Sequence, residues 1–169
     1  IAFDGSGDYL SVPGSSGEFS FGTGDFTIEF LARWSSITSE DAICFGYGIG
    51  WTIYIYPAGK LQWGRITPQS PANLLASASS VTTNQWYHIA VTRESGVVKF
   101  WIDGNASGSV SDTANYSATG TLNIGKSHAG AWFQGWIDDF RITKGVARYT
   151  GNFPPPTEAF PNRAPQSAN

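Results

Sequence analysis

The amino-acid sequence predicts an all-β fold, a two-sheet antiparallel β-sandwich of the jelly-roll type. Of the 169 residues, 14% are charged, 15% are aromatic and 20 are glycine. Typical globular domains carry about 25% charged residues, and long helices need more Ala, Leu, Glu and Lys than this chain contains. Many aromatics and glycines suit short strands joined by tight turns, and the length suits one domain with a core.

Apolar residues alternate with polar ones along several segments, as strands with one buried face require. In FTIEFLARW the even-numbered residues from Phe26 to Trp34 share one face, and Glu29 lies on the other. VVKFWI places Phe100 and Trp101 on opposite faces, and WYHIAVTR is apolar on both faces, like a central strand. Further strands are expected near 8–12, 42–47, 51–56, 61–66, 73–78, 121–125 and 135–143.

The domain is expected to span residues 1–160, and the polar segment 161–169 to form a C-terminal tail or linker. KGVARYTG, after the last expected strand, suits at most one helical turn. No stretch reaches about 18 apolar residues, so no membrane insertion is expected, and no signal peptide is visible in this chain. The net charge of −3 gives no basic surface for nucleic acid, and the single cysteine excludes an internal disulfide.

Five segments, taken in order, resemble one known family. They are FDGSGDYLSVP, GDFTIEFLARW, NQWYHIAVTRESGVVKFWIDG, LNIGKS and GWIDDFRITKGVARYTGNFPPPTEAF. Together they resemble the concanavalin A-like and laminin-G-like jelly rolls, in particular the bacterial and phage-type modules, from Phe3 to Phe160. The resemblance implies two antiparallel sheets stacked face to face. It also implies a lectin-like or adhesion role within a larger extracellular or virion-associated protein.

The function that this resemblance implies is non-catalytic carbohydrate binding or adhesion. The expected partners are a glycan or cell-surface polysaccharide and other domains or copies of the parent protein. The alternative is a structural or decoration domain, as in phage virions, that contacts proteins and binds no sugar. A glycoside hydrolase is a third candidate, but its two carboxylates must face each other across a cleft. Asp138 and Asp139 are strand neighbours that point to opposite faces, and the E-x-D-x-x-E motif of hydrolases with this fold is absent.

A calcium site is one reading of the carboxylates near the two ends of the domain. In similar jelly rolls the first and last strands run side by side, which would bring FDGSGDY close to IDDF. Asp4 and Asp139 would then supply side-chain oxygens, the turn from Gly5 to Gly7 would supply carbonyls, and Asp8 is a reserve. The alternative is structural: Asp139 accepts hydrogen bonds from backbone N–H groups of that turn, and Asp138 is solvated or paired with a nearby cation.

The first candidate for ligand binding is a tryptophan in a loop. Sugar recognition needs aromatic rings that stack on the apolar faces of a pyranose, together with polar groups that bind its hydroxyls. Trp132 lies in or beside the turn SHAGAW, where a large aromatic is unusual, and His128 and Lys126 are close to it in sequence. The alternative for each aromatic ring is ordinary packing in the core.

A second group of candidates comes from the aromatic segment GWTIYIYPAGKLQWGR. Tyr54 and Tyr56 share a face with Trp63 if the intervening loop has two or four residues, and face away from it if the loop has five. The sequence leaves both registers open. Trp101 lies opposite the apolar face that contains Phe100, so we expect its ring to be exposed on an outer sheet surface, where it could bind a ligand.

Overall fold

The computed structural model describes residues 1–14, 16–38, 41–47, 50–66, 71–117, 119–126 and 130–160. These residues form two six-stranded antiparallel sheets stacked as a sandwich, which confirms the predicted fold. They contain no helix, so the expected turn of helix in 144–151 is replaced by bends. Within this part of the chain, no helical segment has the length and hydropathy to cross a bilayer.

Each sheet takes strands from both halves of the chain. Sheet I has the order β1 (Ala2–Asp4), β12 (Gln134–Lys144), β3 (Phe26–Trp34), β8 (Trp86–Glu94), β9 (Val97–Ile102) and β10 (Asn105–Ser111). Sheet II has the order β2 (Leu10–Val12), β11 (Thr121–Ile124), β4 (Asp41–Tyr47), β5 (Trp51–Tyr56), β6 (Lys60–Ile66) and β7 (Pro71–Ala76). Strands β1 and β10 were not predicted from the sequence, because neither has a long alternating pattern.

The core lies between the two sheets and is rich in aromatic rings. Phe26, Phe30 and Trp34 of β3 are fully buried, which confirms the apolar face predicted for this strand. Across the sandwich, Trp63 packs against Phe26 with ring centroids 5.4 Å apart and stacks on Trp51 at 5.9 Å. Truncating one of these rings to alanine costs about 3–5 kcal/mol of unfolding free energy.

A β-bulge explains why β12 tolerates the adjacent carboxylates Asp138 and Asp139. The pairing register with β3 shifts between Asp138 and Arg141, and Asp139 adopts a φ of +47°. The extra residue changes which positions face the core. Ile137 is buried before the bulge, whereas Phe140 packs against the core after it. Without the bulge, one of the two adjacent carboxylates would point into the core.

The C-terminal segment 145–160, here called the strap, crosses the outer face of sheet I. Thr27 donates its hydroxyl hydrogen to the Val146 carbonyl oxygen over 2.9 Å, and the backbone N–H of Phe153 donates to the Gly104 carbonyl oxygen over 3.0 Å. Gly104 has a φ of +74°, and a Cβ atom there would lie 1.8 Å from the Phe153 carbonyl oxygen. The strap therefore lies too close to the sheet for any residue with a side chain at that position.

Candidate functional site

Two loops at one end of the sandwich, the β1–β2 and β11–β12 connections, bring two aromatic rings and a lysine together. Lys126 and Trp132 pair as an isolated β-bridge within the connection from β11 to β12. The ammonium nitrogen of Lys126 lies 4.4 Å from the ring centroid of Tyr9 and 5.1 Å from that of Trp132. The two rings are 5.8 Å apart. We call Tyr9, Lys126 and Trp132 the Trp132 cluster, which cation–π attraction holds together.

The residue after Trp132 fixes the direction of its side chain. Phe133 is fully buried, and its ring centroid lies 5.7 Å from that of Phe3 and 5.8 Å from that of Trp34. Its backbone N–H donates to the Gly125 carbonyl oxygen over 3.0 Å. Since Phe133 anchors the loop in the core, its neighbour Trp132 stays partly exposed at the surface.

A polar cleft of about 250 Å³ lies beside the Trp132 ring. It sits between the β1–β2, β3–β4 and β11–β12 connections. Its lining offers hydroxyl, amide and backbone groups next to one aromatic ring, and the described lining residues include no carboxylate. They are Gly5, Ser36, Thr38, Gly130, Ala131, Trp132 and Gln134.

The structure brings together two of the three residues that the sequence indicated for this site. Trp132 and Lys126 lie against each other, and His128 lies outside the described residues. Tyr9 and the cleft residues Ser36 and Gln134 were missed. Tyr9 follows a glycine-rich turn and Ser36 follows a strand, so their proximity depends on loop positions that no local pattern encodes.

The register of the β5–β6 hairpin decides the second group of candidates. A loop of three residues pairs Tyr56 with Lys60 and Tyr54 with Gln62, so the two tyrosines face away from Trp63. Trp63 is fully buried in the core, and Tyr54 is only 2% exposed. Tyr56 is half-buried and packs edge-to-face on Tyr54. The expectation that Trp63 and Tyr54 present ring faces to a ligand is therefore wrong, because both rings serve packing.

Trp101 is buried on the outer face of sheet I. The sequence placed it correctly opposite Phe100, but the strap covers it, and its exposed fraction is 1%. Its indole N–H donates to the Thr92 hydroxyl over 2.8 Å, and its ring lies 5.7 Å from that of Phe153 in the strap. The expectation of an exposed ring is wrong, because a segment distant in sequence closes over it.

The carboxylates suggested for calcium do not converge. The N-terminal segment that carries Asp4 pairs with β12, as expected, but Asp4 lies opposite Gln134. Asp139 is five residues further along β12, about 15 Å away at the rise of a strand. The Asp4 carboxylate accepts the backbone N–H of Ser6 over 2.7 Å, so it fixes the turn that Asp139 was expected to hold.

Metal ligands are also sparse elsewhere. Within the described ranges, no group of three or more His, Cys, Asp or Glu side chains is placed to hold an ion. Asp138 is exposed, as expected, and its carboxylate accepts the N–H of Asp139 over 3.0 Å. Calcium binding therefore stays a prediction of the sequence.

Glu29 is a fully buried carboxylate on the outer face of sheet I. Arg141 lies 2.8 Å from one of its oxygens, and the Tyr149 hydroxyl donates to the other over 2.7 Å. The Nε2 atom of His88 is 3.4 Å from the carboxylate oxygen that accepts the Tyr149 hydroxyl hydrogen. The ring of Phe153, in the strap, stacks on the ring of Tyr149 with centroids 3.5 Å apart and covers the group on the side away from the sheet. We call Glu29, His88, Arg141 and Tyr149 the Glu29 cluster.

The Glu29 carboxylate is kept charged by its neighbours. Burial by itself would raise the pKa of Glu29, but hydrogen bonds from His88, Tyr149 and Arg141 outweigh that effect and lower the pKa below its ordinary value. The same interaction raises the pKa of Tyr149, because burial and the adjacent carboxylate both disfavour the phenolate. The Glu29 cluster is thus a closed ionic network that attaches the strap to the sheet.

A second buried carboxylate, Asp112, is satisfied in the same way between the sheets. It accepts hydrogen bonds from the Tyr116 hydroxyl over 2.5 Å and from the Trp63 indole over 3.2 Å, and it pairs with Arg65 at 3.2 Å. Burial would raise the pKa of Asp112, but these donors lower it. Neither Asp112 nor Glu29 reaches an open cleft, so neither has the access that an acid or base catalyst needs.

Sequence comparison identifies the family. A family model described as the concanavalin A-like lectin/glucanases superfamily matches residues 4–148. The chain belongs to this superfamily. The match covers every strand of the two sheets except most of β1, and both loops that form the Trp132 cluster. Among curated proteins, no match was found.

Several solved structures have a fold similar to that of this chain. A candidate carbohydrate-binding protein from Bacteroides ovatus has a TM-score of 0.66 at 21% identity, over 83% of this chain and 42% of that one. Domain 4 of the extracellular GH43 arabinanase AbnA from Geobacillus stearothermophilus, solved with arabinotriose, has a TM-score of 0.62 at 18% identity, over 85% and 81%. The carbohydrate-binding module CBM66 from Bacillus subtilis has a TM-score of 0.56 at 13% identity, over 82% of each chain.

These similarities establish the fold. This chain spans less than half of the Bacteroides ovatus protein but about four-fifths of the AbnA domain and of CBM66. Fold alone does not fix function.

Proposed function

We propose that this chain is a carbohydrate-binding module that binds a glycan at the Trp132 cluster without cleaving it. The observation that carries the proposal is the partly exposed Trp132 ring beside a cleft whose lining is polar and free of carboxylates among the described residues. The AbnA domain solved with arabinotriose and CBM66 support the same class of function on the same fold.

Binding would combine ring stacking with hydrogen bonds. An aromatic ring offers a flat apolar surface to the C–H face of a sugar, and Lys126 keeps the rings of Tyr9 and Trp132 in place. The side chains of Ser36 and Gln134 provide donors and acceptors for sugar hydroxyls. A cleft of this size takes one sugar unit, so we expect dissociation constants in the micromolar to millimolar range.

The proposal does not include glycoside hydrolysis. A glycosidase needs two carboxylates about 5–10 Å apart on either side of the scissile bond. The described residues that line the cleft include no Asp or Glu, and Glu29 is already bound to three side chains under the strap. A turnover assay on the retained polysaccharides tests this part of the proposal, and release of reducing sugar would contradict it.

The proposed setting is a larger extracellular or virion-associated protein. A module that binds a single sugar unit weakly is useful when a parent protein carries several copies or a second domain, because linked sites act at a high effective concentration. The partners would then be a cell-surface polysaccharide and other domains or copies of the parent. Adhesion and a place in a phage virion are further proposals for the role of the parent protein.

Affinity electrophoresis tests the proposal directly. The protein is run through gels that contain soluble β-glucan, xylan, arabinan, pectin or hyaluronan. We expect at least one polysaccharide to retard the wild-type protein, Trp132→Ala to remove the retardation, and Trp132→Phe to keep part of it. If no glycan retards the wild-type protein while size-exclusion chromatography shows a stable assembly, a structural module replaces the proposed function.

A further inference from the structure

Two tryptophans that the sequence analysis did not single out are the most exposed in the protein. Trp86 is 45% exposed and Trp136 is 37% exposed, whereas Trp101 is 1% exposed under the strap. Both belong to strands, β8 and β12, rather than to loops. A tryptophan on a strand normally packs against a neighbouring layer, so their exposure suggests a role at the surface.

The strand register places these two rings in one row with a cation between them. On the outer face of sheet I, Trp136 lies opposite Arg33, and Arg33 lies opposite Trp86. The guanidinium carbon of Arg33 is 4.8 Å from the centroid of the Trp136 ring. Two strand spacings separate the tryptophans, about 10 Å. We call Trp86, Arg33 and Trp136 the exposed-tryptophan row.

The exposed-tryptophan row continues from the cleft of the Trp132 cluster. Gln134, which lines the cleft, lies two residues before Trp136 on β12, about 7 Å away and on the same outer face. The backbone N–H of Ser35, which directly follows β3, donates to the Gln134 carbonyl oxygen over 2.9 Å. The strap covers Glu29 and His88 further along the sheet but leaves the row open.

We propose that the exposed-tryptophan row is a second contact for the same ligand, so that the module binds a polysaccharide chain rather than a single terminal sugar. The inference rests on the proposed function. The chain would start in the cleft, pass Gln134 and lie across Trp136 and Trp86. The total path is about 17 Å, which requires several consecutive sugar units. Arg33 would orient the Trp136 ring and donate hydrogen bonds to hydroxyls between the two rings.

The chemistry of the row favours a sugar chain over a protein partner. Each tryptophan has roughly 150–250 Å² of side-chain surface, so the two exposed fractions amount to on the order of 200 Å². A standard protein interface buries about 800 Å² on each partner. Flat rings about 10 Å apart suit the alternate units of a stiff polymer. Arg33 between the two rings and the exposed Asp138, two residues after Trp136 on β12, give a mixed charge that selects no anion.

Titration calorimetry with oligosaccharides of increasing length tests this inference. The probes are the disaccharide and the hexasaccharide prepared from the polysaccharide that retards the wild-type protein. We expect the wild-type protein to bind the hexasaccharide about tenfold more tightly than the disaccharide, since two stacking contacts are added. Trp86→Ala combined with Trp136→Ala should reduce hexasaccharide affinity to the disaccharide level and leave disaccharide binding unchanged.

The outcomes separate this inference from the proposed function. If Trp132→Ala abolishes binding while the double variant binds the hexasaccharide as the wild-type protein does, the second contact is wrong and the proposed function stands. If no polysaccharide retards the wild-type protein, both fail. Because both side chains are exposed, the double variant should keep the wild-type melting temperature within a few degrees. Arg33→Gln provides a third variant in which both rings are intact.

Discussion

The Glu29 cluster and the Trp132 cluster are built from similar groups but differ in what surrounds them. Both place a cation against an aromatic ring: Arg141 lies 3.7 Å from the centroid of Phe160, and Lys126 lies 5.1 Å from that of Trp132. In the Glu29 cluster a carboxylate neutralises the cation, and the strap covers the group. In the Trp132 cluster no described residue forms an ion pair with Lys126, and a cleft borders the ring.

This difference separates stability from recognition. A buried ion pair contributes little compared with an apolar replacement, but removing one partner leaves an uncompensated charge, which is costly. An exposed cation–ring contact contributes about 0.5–1 kcal/mol and can be lost without unfolding the protein. We therefore expect substitutions at the Glu29 cluster to change the free energy of unfolding, and substitutions at the Trp132 cluster to change ligand binding.

The largest expected effect on stability is that of Glu29→Ala. The substitution leaves Arg141, Tyr149 and His88 without their shared acceptor beneath the strap. We expect a loss of about 3–5 kcal/mol in the free energy of unfolding, measured by urea denaturation at neutral pH.

The matched control for this prediction is Asp138→Ala. Asp138 is an exposed acid on the neighbouring strand, and its replacement should change stability by about 0.5 kcal/mol or less. Equal effects of the two substitutions would contradict the contrast between a buried and an open cluster.

Two glycines with the same backbone conformation extend the contrast to the main chain. Gly104 has a φ of +74° and Gly130 a φ of +77°, but only Gly104 has the strap within reach of an added Cβ atom. Gly130→Ala should cost about 1–2 kcal/mol for the left-handed conformation alone. Gly104→Ala should cost about 2–5 kcal/mol, because it also displaces Phe153. Thermal melts of the two variants measure the difference, and equal melting temperatures would show that the strap does not pack as described.

Acid should weaken the attachment of the strap. The pKa of Glu29 is lowered in the folded protein from an ordinary value of 4.5. Its stabilising contribution is therefore present above pH 4.5 and is lost as the pH falls through the folded pKa. The difference in unfolding free energy between the wild-type protein and Glu29→Gln should shrink when urea titrations are repeated from about pH 6 to pH 3. A constant difference would mean that Glu29 is not ionised in the native state.

Removal of calcium from the acids that the sequence indicated should have the smallest effect. Chelation with EDTA lowers the melting temperature if an ion contributes to folding. Because the register separates Asp4 from Asp139, at most one of them holds such an ion, so Asp4→Ala and Asp139→Ala should differ in whether they remove the EDTA effect. An unchanged melt on chelation would end the calcium prediction and leave the fold unaffected.

The sequence predicted the sandwich because its signal is local. Alternation along β3 and β9 is a property of consecutive residues, and it correctly identified Phe26 and Phe100 as core. The expectation of an exposed Trp101 failed for a non-local reason, since the strap that buries it starts more than forty residues later in the chain. The bulge at Asp139 could not be predicted either, because a non-glycine residue with a positive φ does not change the alternation of apolar and polar residues.

The candidate site was only partly predictable for a similar reason. Trp132 stood out because a large aromatic is unusual beside a turn, and Lys126 is close to it in sequence. The cross-strand neighbours Trp86, Arg33 and Trp136 are distant in sequence and become adjacent only through the register of three strands. Predicting which side chains form one surface across a sheet therefore requires the strand pairing as well as the alternation along each strand.

The central claim is that the Trp132 cluster recognises ligand while the Glu29 cluster holds the fold. The most direct test is a calorimetric titration of Trp132→Ala and the wild-type protein with the hexasaccharide of the retained polysaccharide, with the melting temperature of each recorded. We predict at least a tenfold loss of affinity in the variant and a change in unfolding free energy of about 1 kcal/mol or less. Unchanged affinity, or a loss explained by an unfolded variant, would contradict the claim.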